Sequence, residues 1–265
     1  MFDYHMHSTF SADCDTPMEK TIEKAIQLGL QEICFTDHID YDYPDKDWIF
    51  EFDLREYDRK VKELQKKYAG RIRIKKGVEI GLQPHVLHQY EELMEAEEFD
   101  FVIASMHATE RKDLHSGEFF EGKTVNEAYV IYYQELLDCI KEYKRFSILG
   151  HLDLVKRYTT EKSERNFHEI IREIFAEIIP AGKGIEINTS GTRYGLDGGM
   201  PSLDILKLYK ECGGEIITLG SDSHVPDTLA FEFPAALVNL KKAGFEYVAT
   251  YTAGNPEFHP IDRII

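Results

Sequence analysis

The chain has 265 residues, 43% hydrophobic and 30% charged, which is enough apolar material for a large core and excludes a disordered or fibrous chain. Its formal net charge of −17 at pH 7 repels polyanions and excludes nucleic acid as a main ligand; a small phosphorylated substrate stays compatible, because bound cations reverse the field inside an acidic pocket. Cys14, Cys34, Cys139 and Cys212 form no Cys-x-x-Cys pair, Met1-Phe2-Asp3-Tyr4-His5 is no signal core, and no apolar run reaches membrane-spanning length, so a reduced, cytoplasmic protein with no membrane partner is expected.

Short apolar runs alternate with stretches of helical period, the pattern of strand-helix units around a parallel sheet. Phe2 to His5 predicts a first strand. A helix follows over 17–29, with Thr16 as cap, Pro17 at the first helical position, Glu19 completing a capping box and Gly29 at the end. Glu32 to Thr36 is the next strand, the polar stretch Asp40 to Asp53 reads as a long loop placed to act as a lid, and 54–68 is helical. Strands at Ile72 to Ile80 and Phe101 to Ser105 flank a helix at 86–97. Helices at 124–142, 164–179 and 202–212 precede strands at Phe146 to Gly150, Gly184 to Asn188 and Ile216 to Gly220. A helix at 228–243 leads to a last strand at Tyr247 to Thr250. No repeat, linker or low-complexity tract interrupts the chain, so residues 1–265 are expected to form one barrel domain.

Ligand-type residues sit at the C-terminal end of nearly every predicted strand, where barrel enzymes carry their chemistry. His5 and His7 follow the first strand, Asp37 and His38 the second, and Glu79 ends the third. His107 follows the fourth and His151 the fifth, Glu186 and Asn188 lie on the sixth, and Asp222 and His224 follow the seventh. Alternate residues of a strand share a face, so His5 with His7, and Asp222 with His224, can each reach one ion. Imidazole and carboxylate without thiolate suit zinc, manganese, iron or cobalt. The donors outnumber what one tetrahedral ion takes, so the site is expected to be at least binuclear, with Glu79 a candidate bridge. His85, His88 and His168 lie in or near helices and read as surface or packing residues, and His115 and His259 as loop residues without a spacing argument.

His5-Met6-His7-Ser8, Thr36-Asp37-His38, Gly77-Val78-Glu79-Ile80-Gly81, Ser105-Met106-His107, Gly150-His151-Leu152-Asp153 and Ser221-Asp222-Ser223-His224 together resemble the ordered motifs of the polymerase-and-histidinol-phosphatase (PHP) family. Asp153-Leu154-Val155-Lys156 and Glu186-Ile187-Asn188-Thr189-Ser190-Gly191 look most like its histidinol-phosphate phosphatase branch, and nothing resembling polymerase modules follows. The resemblance implies a distorted (β/α)7 TIM-like barrel with a trinuclear metal centre at the C-terminal ends of the strands. It also implies a ligand set: His5, His7, Glu79 and Asp222 for one metal; Glu79, His107 and His151 for a second; Asp13, His38 and His224 for a third. Asp13 departs from the pattern, since many members carry histidine there, and a carboxylate adds negative charge and alters metal preference.

The expected activity is hydrolysis of L-histidinol phosphate in histidine biosynthesis by a metal-bridged hydroxide, with Glu79, Asp222 and His224 as the catalytic residues. Arg193 and Arg157 are the expected donors of a planar fork to the phosphate, ahead of Lys156. Competing readings are a PHP-type phosphoesterase of another small ester or nucleotide, an exonuclease, which the acidic charge opposes, an amidohydrolase, which lacks this motif set, and a non-catalytic metal-binding module.

Overall fold

The computed structural model describes residues 1–159, 161, 163 and 165–264. Its strands in chain order are β1 (Phe2–Asp3), β2 (Glu32–Phe35), β3 (His38–Ile39), β4 (Arg73–Gly81), β5 (Phe101–Ser105), β6 (Ala108–Thr109), β7 (Lys112–Asp113), β8 (Ile148–Leu149), β9 (Gly184–Asn188), β10 (Ile217–Gly220), β11 (Tyr247–Thr252) and β12 (Asn255–Pro260). The helices are α1 (Met18–Gln27), α2 (Leu54–Lys67), α3 (Leu87–Ala96), α4 (Val125–Glu142), α5 (His168–Ile178), α6 (Leu203–Glu211) and α7 (Phe233–Ala243). The expected helix start at residue 164 lies outside the described residues.

Seven strands pair side by side in the order β1-β2-β4-β5-β8-β9-β10, every pair parallel, and β3 resumes the line of β2 against the end of β4. The β3–β4 register sets His38 opposite Glu79. The sheet curls until its first and last strands meet: Tyr4 N–H donates to the Leu219 carbonyl at 2.9 Å, Asp222 N–H to that of His5 at 2.8 Å, and His7 N–H to that of Ser223 at 2.9 Å. This seam brings the His5/His7 pair beside the Asp222/His224 pair. The outcome is the distorted seven-stranded barrel expected; β1 and β8 are only two residues long, so the chain leaves the ladder early and turns its histidines over the barrel mouth.

Two local expectations are corrected. Thr16 does not cap α1: its hydroxyl donates instead to the His224 carbonyl at 2.8 Å, and Glu19 pairs with Lys60 at 2.6 Å, so no capping box forms. Gly29 does end α1, at φ 73°, where a left-handed residue costs glycine least. The strand expected at Tyr247 to Thr250 exists, but it belongs to an antiparallel hairpin with β12 and not to the barrel. Ala253 and Gly254, at φ 48° and 76°, make the two-residue turn. The hairpin is pinned where β5 begins: Tyr251 N–H donates to the Tyr4 hydroxyl at 2.9 Å, and Ala253 N–H to Asp100 Oδ1 at 3.0 Å. Among the described residues no helix is long and apolar enough to cross a membrane.

Candidate metal centre

The strand-end residues converge on Glu79, which is fully buried. Its Oε2 lies 3.0 Å from His5 Nε2, 3.6 Å from His7 Nε2 and 3.3 Å from His38 Nδ1. Its Oε1 lies 3.1 Å from His151 Nε2 and 3.3 Å from His107 Nε2. One carboxylate thus faces two sets of imidazoles with its two oxygens, the arrangement of a bridging ligand. Asp222 Oδ1 is 3.5 Å from His7 Nε2 and 3.7 Å from His224 Nδ1. Asp13 Oδ2 completes the far side, 3.1 Å from His224 Nε2 and 3.8 Å from His38 Nε2. The nine expected ligands therefore come together in one cluster, and seven of them, all but His5 and His7, line one cavity.

Four overlapping triads, His7/His38/His224, His5/His7/Asp222, His5/Glu79/His151 and His38/Glu79/His107, each hold ligand atoms within 4.8 Å of one another. Among the described residues, His7 Nε2 and His38 Nδ1 are buried without a hydrogen-bond partner. Orphaned buried nitrogens are costly unless something outside the protein satisfies them, and nitrogens aimed at carboxylate oxygens suit divalent cations. The donor set suits divalent cations.

The electrostatics agree. Burial would raise Glu79, but His5, His38 and His107 outweigh it and hold the carboxyl well below the ordinary range. Asp222 is held down likewise, burial being overcome by His5, His7 and His224. Burial, aided by His224 and His38, pushes His7 down to about 3, so its imidazole is neutral. Those are the forms a metal takes. His5 and His107 move the opposite way: burial opposes their charge, yet Glu186 and Glu79 beside His5, and Asp40 and Glu79 beside His107, raise them.

A surrounding layer aims the rings. His5 Nδ1 lies 3.0 Å from Glu186 Oε2, His7 Nδ1 3.2 Å from Ser11 Oγ, and His107 Nδ1 2.6 Å from Asp40 Oδ2. Each contact fixes one nitrogen and leaves Nε2 facing the centre. Glu186 also accepts from His151 N–H at 2.8 Å and from Asn188 Nδ2 at 3.0 Å, so these sixth-strand residues support ligands. Gly220 makes room for this layer: a Cβ there would stand 2.6 Å from His5 Cβ and closer to Glu186 Oε2. Asp37 accepts from Ser8 N–H at 2.6 Å and from the Ser8 and Ser11 hydroxyls, and so shapes the loop after β1. Asp40 and Ser11 were missed from sequence. A signal existed for Asp40, which follows His38 at the two-residue period of a strand.

The centre opens into a cavity of about 370 Å3. The loop expected to act as a lid lines it with Tyr43, Asp45, Trp48 and Phe50; Tyr43 donates to Asp113 Oδ1 at 2.6 Å, and the Phe50 ring packs edge-on to His38. His115, which had no sequence signal, also lines the wall. His85 and His168 pair with Asp42 and Asp204, and His259 contacts Thr250. Arg157 lines the cavity, its guanidinium stacked on Tyr194 at 3.2 Å from the ring centroid and 3.8 Å from Asp222 Oδ2. Its Nε is buried and, among the described residues, without a partner. Arg193 is placed differently from the free fork expected. Its Nη1 and Nη2 donate at 2.8 Å to the carbonyls of Ser221 and Asp222, leaving one further N–H on each nitrogen. Lys156 is taken by Asp153 at 2.7 Å.

A family model described as PHP domain matches residues 3–190. A histidinol-phosphatase of Lactococcus lactis subsp. lactis is 36% identical over 94% of this chain and 94% of its own length. A probable histidinol-phosphatase of Clostridium acetobutylicum is 31% identical over 93% and 97%. The crystal structure of the Lactococcus lactis histidinol phosphate phosphatase, complexed with zinc, L-histidinol and phosphate, superposes with a TM-score of 0.86 at 34% identity, covering 97% of this chain and 98% of that one.

Proposed function

This chain belongs to the PHP domain family, and from that premise we propose that it hydrolyses L-histidinol phosphate to L-histidinol and phosphate, as a cytoplasmic enzyme of histidine biosynthesis. The observation that carries the reading is the convergence of six histidines on the two oxygens of Glu79 and on Asp222, with Asp13 against His38 and His224 on the far side. Its nearly full-length similarity to phosphatases of this name, one of them holding zinc, histidinol and phosphate, supports the substrate.

Three divalent ions, zinc or one of manganese, iron and cobalt, would be held by His5, His7, Glu79 and Asp222, by Glu79, His107 and His151, and by Asp13, His38 and His224. When bound, such ions supply Lewis acidity that brings the pKa of water towards neutrality and offsets charge on phosphoryl oxygens. The protein's part is positioning. Glu79 and Asp222 stay ionised and hold the two halves of the centre in register, and Glu186, Asp40 and Ser11 lock the rings. Arg157, held flat on Tyr194, presents a charged planar donor to the phosphate at the cavity wall. Any phosphate contact from Arg193 is made by the N–H groups its two carbonyls leave over. The aromatic side chains of Tyr43, Trp48 and Phe50 restrict water at the mouth.

A panel of L-histidinol phosphate, a nucleoside monophosphate, 4-nitrophenyl phosphate and a single-stranded oligonucleotide, assayed on metal-replete protein, tests the assignment. The expected order puts L-histidinol phosphate first in kcat/KM by at least tenfold. A nucleotide or oligonucleotide in first place overturns it.

A further inference from the structure

Asp222 is a non-glycine residue at φ 54°, in the left-handed region. A residue with a side chain there is strained unless its surroundings hold it, and such residues gather at functional sites. The reason for the strain is visible in the chain path. After β10 the backbone must bend so that Asp222 N–H reaches the His5 carbonyl, while Ser223 pairs with Met6 and both Asp222 and His224 point into the cavity.

The bend is held from one side by a single cation. The Arg193 guanidinium spans the turn, one terminal nitrogen on the Ser221 carbonyl and the other on the Asp222 carbonyl, each at 2.8 Å. These carbonyls belong to the peptide units before and after Asp222, so the planar fork fixes the strained residue from both ends. Arg193 comes from the turn after β9, and from that turn Ser190 Oγ lies 3.1 Å from Asp222 Oδ2. The same segment therefore grips both the backbone and the side chain of Asp222. Phe231 packs over the guanidinium at 5.6 Å.

We infer that Arg193 is a positioning residue of the metal centre, which holds Asp222 in its ligating conformation by clamping the Ser221 and Asp222 carbonyls. The inference rests on the proposed role of Asp222 as a ligand. Loss of the fork frees two carbonyls and lets the turn relax, which withdraws a carboxylate oxygen from His7 and His224 without touching either. A residue that only held phosphate would change KM and leave the affinity for metal alone.

Zinc affinity of chelator-stripped protein, measured against a chromophoric chelator with no substrate present, tests this. Arg193→Ala is expected to weaken zinc roughly 10–100-fold, the range seen when a ligand's supporting partner is removed. Low millimolar guanidinium is expected to restore much of that loss, because it refills the fork, and the same concentration should do nothing for Asp222→Asn. Arg193→Lys, which keeps charge and fold but has one donor centre, should fall between, and it decides the matter if Arg193→Ala does not fold. Wild-type zinc affinity in Arg193→Ala or Arg193→Lys, with only KM or phosphate inhibition changed, overturns the inference. If Asp222→Asn itself binds zinc as the wild type does, the ligand assignment beneath it is what fails.

Discussion

Asp40 Oδ2 lies 2.6 Å from His107 Nδ1, across 67 residues of sequence, and fixes which nitrogen of His107 faces Glu79. Asp40 is itself confined, because Gly81 leaves it space: a Cβ at that position would stand 2.6 Å from either carboxylate oxygen. Asp40→Ala is therefore expected to lower zinc affinity by about 10–100-fold and to lower activity with it. Asp40→Asn, which keeps an acceptor for Nδ1–H but loses the charge, should do less. Zinc stoichiometry after dialysis at fixed free zinc is the measurement; two variants indistinguishable from wild type would remove Asp40 from the centre.

Glu79→Gln tests the bridge. An amide offers one oxygen in place of two and no charge, so it cannot face His5 and His38 on one side and His107 and His151 on the other as equals. Metal content should fall by more than one ion per chain, and turnover by at least as much as in His5→Ala, His107→Ala or Asp222→Asn. Loss of a single ion, with the others retained, would assign Glu79 to one metal only.

Arg157→Ala should leave metal content unchanged and reduce kcat/KM tenfold to a hundredfold, the equivalent of roughly 1.5–3 kcal/mol for a charge-assisted contact in a cleft. Arg157→Lys should recover part of it, since lysine keeps charge without the planar fork that stacks on Tyr194. Steady-state kinetics beside metal analysis separates the outcomes. An unchanged kcat/KM in Arg157→Ala leaves the phosphate to the ions and Arg193.

Metal binding should release protons. In the metal-free centre His5 and His107 are raised above the ordinary histidine range by the carboxylates beside them, whereas Glu79 and Asp222 are already ionised. A proton on a raised histidine competes more strongly as pH falls, so zinc affinity should drop on going from pH 8 to pH 6. Calorimetry in two buffers of different ionisation enthalpy reads the protons released; equal heats in both would contradict the protonation pattern.

The barrel was legible because its strands are buried on both faces. Phe101–Ser105 is an unbroken run of apolar and small residues with a polar end, Gly184–Asn188 is apolar or small apart from Glu186 and its polar end Asn188, and the boundaries of both match the structure to the residue. Apolar character extends past the hydrogen-bonded ladder in Phe146 to Gly150, so sequence overstates β8, which is two residues long. The hairpin partner Asn255–Pro260 was hidden by Pro256 and Pro260, which argue against a strand and are tolerated here at an edge. The candidate metal ligands are visible as a set because strand ends repeat one kind of residue around the barrel. Ser11, His115 and the clamp of Arg193 on Ser221 and Asp222 depend on loop paths that meet only after folding, and composition carries no trace of that meeting.

Titrating chelator-stripped protein with zinc, while following phosphate release from L-histidinol phosphate, reads metal dependence and metal number in one experiment. The stripped protein is expected to show no turnover, and activity is expected to rise with added zinc and saturate near three equivalents per chain. Turnover by stripped protein, or full activity at one equivalent, would contradict a multi-metal phosphatase.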